Sequence, residues 1–259
     1  MSRIFITGST DGLGLAAART LMKEGHDVVL HARSRERAAA ISEISPAALG
    51  LVIGDLASAT ETRSIAEQAN AIGRMDAVIH NAGIYLERSR GETPDGHAKT
   101  LAVNVLAPYL LTAWITRPAR LIYLSSGMHR SGSSALDDID WKKRPWSASQ
   151  AYSESKLYIA TLAAAIARHW PDVLSNAVDP GWVPTKMGGA GAPDDLEMGH
   201  LTQTWLAASN DGAAKVSGGY WYHRREREAS ADVADPGFQD ALLERLAGLT
   251  GIRLFEERG

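Results

Sequence analysis

A chain of 259 residues, 45% hydrophobic and with a net charge of −3, can bury a sizeable core and is too near neutral for nucleic acid or a membrane surface to be its expected partner. It has no cysteine, which excludes disulfides, thiolate metal sites and cysteine nucleophiles and fits a reducing compartment. The eight histidines lack metal-ligand spacing, no apolar run reaches the roughly 18 residues of a membrane span, and a first strand at Arg3 leaves no room for a leader, so a soluble cytoplasmic protein without a metal is expected.

Residues 3–6, Arg-Ile-Phe-Ile, read as a short strand running into Thr7-Gly8-Ser9-Thr10-Asp11-Gly12-Leu13-Gly14. Beyond it Leu13, Leu15, Ala16, Ala17, Leu21 and Met22 recur at helical spacing as far as Gly25, a helix stop. Strand, glycine loop and helix make the context of a dinucleotide-binding turn. Glycines let the backbone approach a pyrophosphate, and the helix N-terminus offers N–H groups to its charge. The spacing Gly-x-x-x-Gly-x-Gly differs from Gly-x-Gly-x-x-Gly, and an ordinary βα turn is the alternative.

The next strand, residues 27–31, leads into Ala32-Arg33. At this distance past a glycine loop a carboxylate would accept from a ribose 2′-hydroxyl, whereas an arginine tolerates a 2′-phosphate. The missing acid and the presence of Arg33, with Arg35 or Arg37 nearby, favour NADP(H) over NAD(H); a solvated loop cation is the alternative.

A helix over 35–44, a strand over 49–53 ending at Gly54-Asp55-Leu56, a helix over 60–72 and a strand over 76–80 running into Asn81-Ala82-Gly83 continue the alternation. Repeats of strand and helix predict an α/β fold, a Rossmann-type doubly wound parallel sheet of about seven strands with helices on both faces. One domain over residues 1–259 is expected, with ligands at the carboxyl ends of the strands. Asp55 could accept from an adenine amine and Asn81, Ala82 and Gly83 could lie against the cofactor, or each could simply serve its turn.

Residues 97–112 read as a mostly apolar helix containing one amide, Asn104, which needs partners if buried. Strand five, 121–124, ends in Ser125-Ser126-Gly127, two hydroxyls at the carboxyl end of a central strand. A long helix over 149–169 places Tyr152 and Lys156 one turn apart on one face. A neighbouring cation favours the phenolate, so the Tyr152 pKa, ordinarily ~10, is expected to fall. Ala163, Ala164, Ala165 and Ala167 suit close packing, in the core or at a subunit interface. Strand six, 173–178, ends in Asp179-Pro180-Gly181-Trp182-Val183, and residues 188–193 are too glycine-rich for regular structure. A helix over 196–208, a strand over 219–222, a solvated charged turn over 224–228 and a helix over 238–249 finish the chain.

Thr7-Gly8-x-x-x-Gly12-x-Gly14, Asp55-Leu56, Asn81-Ala82-Gly83, Asn104, Ser125-Ser126, Tyr152-x-x-x-Lys156 and Pro180-Gly181 occur in the order of the short-chain dehydrogenase/reductase family, which the chain resembles to beyond residue 180. The stretch between Ser126 and Tyr152, with Gly181-Trp182-Val183-Pro184-Thr185-Lys186-Met187, looks most like the retinol-dehydrogenase-like branch. The resemblance implies an oxidoreductase that interconverts the alcohol and carbonyl forms of an apolar small molecule, with NADP(H) preferred, NAD(H) as the alternative, and a homodimer or homotetramer as the assembly. It implies a tetrad of Asn104, Ser126, Tyr152 and Lys156. Tyr152 would be the general acid/base; Lys156 would lower its pKa and bind the nicotinamide ribose; Asn104 would hold a water linking Lys156 to solvent. Cofactor contacts would come from Thr7 to Gly14, Arg33, Asp55, Leu56, Asn81 to Gly83, Tyr152, Lys156, Pro180, Gly181, Val183 and Thr185. Ser126, Met128, His129, Trp182 and Met187 would meet substrate, with Trp141 and Trp146 as further apolar candidates. Residues 127–150 would be an insertion forming a packed surface excursion, and about 182–200 a substrate lid. His80 departs from the family, standing where many relatives have asparagine. A non-catalytic NADP(H)-binding sensor or scaffold is the competing reading, but it has no need of Ser126, Tyr152 and Lys156 together.

Overall fold

Short apolar runs such as Ile4-Phe5-Ile6 and Val28-Val29-Leu30 have no polar side, so they are satisfied only between two layers. In the computed structural model, which describes residues 1–85 and 87–255, they form β1 (Arg3–Ile6), β2 (Asp27–Ala32), β3 (Gly50–Ile53), β4 (Ala77–His80), β5 (Arg120–Leu124), β6 (Leu174–Asp179) and β7 (Tyr220–Tyr222). An eighth strand, β8 (Arg225–Arg227), completes one sheet in the order β3-β2-β1-β4-β5-β6-β7-β8, parallel but for the last pair. The order reverses between β1 and β4, which opens a crevice at their carboxyl ends.

The expected charged turn is therefore a strand. His223 and Arg224 have φ of 48° and 58°, the backbone of a two-residue hairpin turn, and they fold Arg225-Glu226-Arg227 back onto β7. Charged and exposed throughout, β8 is an edge that resists further pairing.

One face of the sheet is covered by α3 (Ala59–Ile72), α5 (Ala107–Trp114), α6 (Ala148–His169) and α9 (Pro236–Thr250); the other by α1 (Gly12–Lys23) and α7 (Leu196–Ala208). α2 (Arg35–Ala39) is shorter than expected. Past Ala39 the chain runs through turns into a short 3-10 segment, Ser45–Ala47, with Pro46 in its first turn. α4 (Lys99–Leu101) joins α5 through a π-turn, Ala102–Leu106. No helix among the described residues is long and apolar enough to cross a membrane.

α6 is buried over most of its length, with α8 (Ala231–Ala234) and α9 packed along it. Ala163 and Ala165 are 1% and 0% exposed and pack in the core, while Ala164 and Ala167 are half-buried.

The stretch before α6 is anchored at two carboxylates. Asp138 accepts from the backbone N–H groups of Lys142, Lys143 and Arg144, and Arg144 pairs with Glu154 while lying 3.6 Å from the Trp141 ring centroid. Asp140 accepts from the Ala98 N–H at 2.6 Å and pairs with Arg90, His97 and Lys142. Burial pushes the Asp140 pKa up, but hydrogen bonds from His97, Ala98 and Lys142 outweigh it and bring it down to about 2. Asp140→Asn should cost about 2 kcal/mol in urea unfolding, the scale of hydrogen bonds to a buried charge; an unchanged midpoint would show the anchor to be idle.

Candidate active site

The loop after β1 is built for close approach to its backbone. A Cβ at Gly14 would lie 2.4 Å from the Gly8 carbonyl oxygen and from Asn81 Nδ2, and Gly8 itself sits at φ 66°. Asn81 donates to the Thr7 carbonyl at 3.0 Å and Thr7 Oγ1 accepts from the Ala82 N–H at 3.0 Å, so the β4 exit holds the loop in place. Asp11 caps α1 through the Gly12 N–H, which leaves the first turn of the helix facing the crevice. Loop and helix start together form a cradle that fits a dinucleotide's phosphates.

Several expected cofactor groups have other work for their side chains. Ser9 is fully buried, its hydroxyl engaged with the His31 backbone, and Leu56 is 6% exposed within the core, so neither side chain faces a cofactor. Asp55 Oδ1 accepts from the Ala57 N–H at 2.9 Å, closing its own turn. Arg33 is exposed, whereas Arg37 reaches across the loop to Thr10 Oγ1 at 3.3 Å and Asp11 at 3.4 Å. Arg37 is therefore the better-placed cation beside the loop.

At the ends of β5, β6 and α6 the chemistry converges. The Ser126 hydroxyl faces the Tyr152 phenol and receives the Met128 N–H, while Ser125 donates to the Lys156 carbonyl at 2.8 Å. Ser125 is thereby spent on the fold and Ser126 faces the tyrosine. Lys156 is 5% exposed, donates from Nζ to the Leu124 carbonyl at 2.8 Å, and lies 5.4 Å from the Tyr152 ring centroid. Gly83 keeps this corner open, since a Cβ there would stand 3.4 Å from Lys156 Nζ and 3.5 Å from Asn104 Oδ1.

The expected lowering of the tyrosine pKa does not occur. Burial drives the Tyr152 phenol well above its ordinary value; the Ser126 hydroxyl opposes this, while Asp179 and Tyr85 add to it. Burial also brings the Lys156 ammonium down to about 8, against the pull of the Asp179 carboxylate.

The Asn104 side chain is held by the fold. Its amide is spent on Ile84, accepting the N–H at 2.8 Å and donating to the carbonyl at 3.0 Å, and on Ser155 Oγ at 3.0 Å. The residue four positions on is Pro108, which has no N–H, so the Asn104 carbonyl lacks its α-helical donor inside the π-turn.

His129 cannot line a pocket. It is fully buried, with Nδ1 shared between the Ser126 carbonyl and the Tyr220 hydroxyl and Nε2 receiving the Ser230 N–H. Trp141 and Trp146 pack edge to face on each other before α6, which removes them too. Trp182 and Met187 are 61% and 43% exposed on the segment after β6. That segment is clasped by Asp194, which accepts the Trp182 N–H at 2.6 Å, and by Lys186, which pairs with Asp11 across the glycine loop. Thr185 faces Gly12, Pro180 and Gly181 form the turn after β6, and Val183 is buried.

Two neighbours of Tyr152 escape sequence reasoning. Tyr85 packs against it, tilted by 50°, at 4.3 Å between ring centroids, and the Asp179 carboxylate, held by the Gly181 N–H at 3.0 Å, approaches Gly127 just past Ser126. An aromatic shortly after Asn-Ala-Gly and an acid before Pro-Gly are the signals that point to them.

Residues 2–195 match the sequence profile of the short chain dehydrogenases. The short-chain dehydrogenase chry4 of Gibberella zeae is 41% identical over 98% of this chain and 99% of its own length. Human retinol dehydrogenase 13 is 31% identical over 71% of this chain and 60% of its own. In fold, an uncharacterized protein from Mycobacterium paratuberculosis superposes with a TM-score of 0.85 over 99% of this chain and 96% of its own, at 24% identity. A blue fluorescent protein from a metagenomic library, solved in complex with NADPH, gives 0.68 over 85% and 95% at 23% identity.

Proposed function

The chain belongs to the short-chain dehydrogenase family of oxidoreductases acting on alcohol and carbonyl groups, and from that premise we propose that it reduces the carbonyl of an apolar small molecule with NADPH as reductant. The observation that carries this reading is the meeting of Ser126, Tyr152 and Lys156 beside the glycine cradle. When bound, the reduced nicotinamide supplies hydride to the carbonyl carbon.

The chain's own part is placement and proton supply. Ser126 and Tyr152 donate hydrogen bonds to the carbonyl oxygen, and as charge gathers there Tyr152 gives up its proton. Lys156 stabilises the phenolate left behind and donates to ribose hydroxyls. The Asn104 carbonyl, without its helical donor, holds the water through which the proton returns. A phenol whose pKa is raised keeps its proton at neutral pH, which favours reduction over alcohol oxidation. Tyr85, with Met128, Trp182 and Met187, supplies aromatic and apolar surface, hence an apolar substrate.

Two experiments test the reading. A panel of carbonyls and alcohols, run with NADPH and NADH, should show NADPH-dependent reduction; cofactor binding without turnover on any compound would favour the sensor or scaffold. Replacing Ala32-Arg33 by Asp-Ala should shift the ratio of kcat/KM for the two cofactors toward NADH by about tenfold or more, because a carboxylate repels the 2′-phosphate and accepts from a 2′-hydroxyl. An unchanged ratio would leave Arg37 as the phosphate reader, with Arg37→Ala as the direct check.

A further inference from the structure

Among the aliphatic residues of β2, one imidazole is buried: His31 follows Val28-Val29-Leu30 and is 2% exposed. Burial of a polar ring is costly unless its nitrogens are bonded, and here both are. Nδ1 lies 2.9 Å from the Gly8 nitrogen and accepts its N–H; Nε2, which then carries the proton, donates to the Gly54 carbonyl at 2.9 Å. Burial brings the ring pKa down to about 4, with the Gly54 contact and Asp55 opposing, so the accepting nitrogen is free at neutral pH.

The backbone of the same residue works on the same loop. The His31 N–H donates to Ser9 Oγ at 2.7 Å, and its carbonyl accepts the Ser9 N–H at 3.2 Å. One residue thus ties Gly8 and Ser9, after β1, to Gly54, at the exit of β3 and immediately before Asp55. Those two segments are not paired strands, since β2 lies between them. Their separation at the carboxyl edge is set through the imidazole, a rigid ring with acceptor and donor at fixed spacing.

We propose that His31 is a positioning residue for the dinucleotide, fixing the distance between the glycine loop and the Gly54–Asp55 turn so that phosphates and adenosine are met together. This rests on the dinucleotide reading of the loop. It assigns His31 no contact with the reacting atoms. Its effect therefore falls on cofactor affinity and not on the hydride step.

The test compares His31→Ala and His31→Gln with the unmodified protein, well below every melting temperature. NADPH and adenosine 2′,5′-bisphosphate are titrated by calorimetry, and kcat is measured at saturating NADPH. His31→Ala should weaken both ligands by about tenfold or more, the scale of two lost hydrogen bonds, with kcat within about threefold. His31→Gln, which can accept and donate, should recover most of the affinity. Unchanged dissociation constants beside a lowered Tm would make the ring merely structural and overturn the proposal.

Should neither variant fold, nitrogen NMR of the unmodified protein decides. The Gly8 amide and the His31 ring nitrogens must shift together on NADPH addition, and stationary signals overturn the proposal. Failure of the unmodified protein to bind NADPH would overturn the dinucleotide reading itself, and the inference with it.

Discussion

Tyr152→Phe should leave NADPH binding intact and lower kcat for carbonyl reduction by about 10²- to 10⁴-fold, the usual contribution of a positioned general acid. The substitution removes a hydroxyl and almost no volume from a residue that is 8% exposed and packed against Tyr85, so the fold has no reason to respond. What is lost is the proton and one of two donors to the carbonyl oxygen; Ser126 alone keeps the other. Because burial raises the Tyr152 pKa and brings Lys156 to about 8, the two groups divide the pH dependence. The phenol stays protonated through neutrality, and the ammonium is lost above about 8. Reduction should thus be level from about pH 6 to 7 and fall above about 8 as Lys156 loses its charge. Steady-state rates with saturating NADPH and a reactive ketone settle it: near-normal turnover in Tyr152→Phe removes the tyrosine from the mechanism.

The tyrosine and lysine are legible in sequence because both lie on one helix turn, where spacing alone sets their relation. The glycine loop is legible for the same reason, as a local pattern between a strand and a helix. The sign of the tyrosine shift is not, because it depends on burial under Tyr85 and beside Asp179, which arrive from β4 and β6. His31 is read from sequence only as one histidine without metal spacing. Its partners Gly8 and Gly54 lie 23 residues away on either side and meet it only once β1, β2 and β3 are aligned. β8 hides because His223-Arg224 carries none of the glycine or asparagine that usually marks a tight hairpin. The π-turn could have been anticipated, since Pro108 stands four residues after Asn104 and cannot donate to it.

Acid should destabilise the fold well before its carboxylates titrate. His31 and His80 are both buried and neutral, with pKa values brought by burial to about 4 and about 3. His80 stacks on Tyr123 at 4.6 Å, with Thr112 Oγ1 3.4 Å from Nε2 and, among the described residues, no hydrogen-bond partner at Nδ1, so burial is not offset there. In the unfolded chain each titrates near ~6.5. Their folded pKa values are therefore depressed, and between about 6.5 and 4 the unfolded chain binds protons that the native state refuses. Stability contributed by the neutral rings is complete above about 6.5 and falls as pH drops through that window. At pH 5 each histidine accounts for about 2 kcal/mol, and the pair for about 4 kcal/mol. Against a total of roughly 5–15 kcal/mol that is a large share. Asp140, held at about 2, adds its loss only at lower pH, below the roughly 3.9 of an unfolded aspartate. Urea unfolding at pH 7.5 and 5.0 should show the midpoint falling at constant m-value. His80→Asn should remove about half of that fall, since an amide takes up no proton. Equal stability at the two pH values would mean that the rings are not held neutral, and the Gly8–His31 bond would then lose its acceptor.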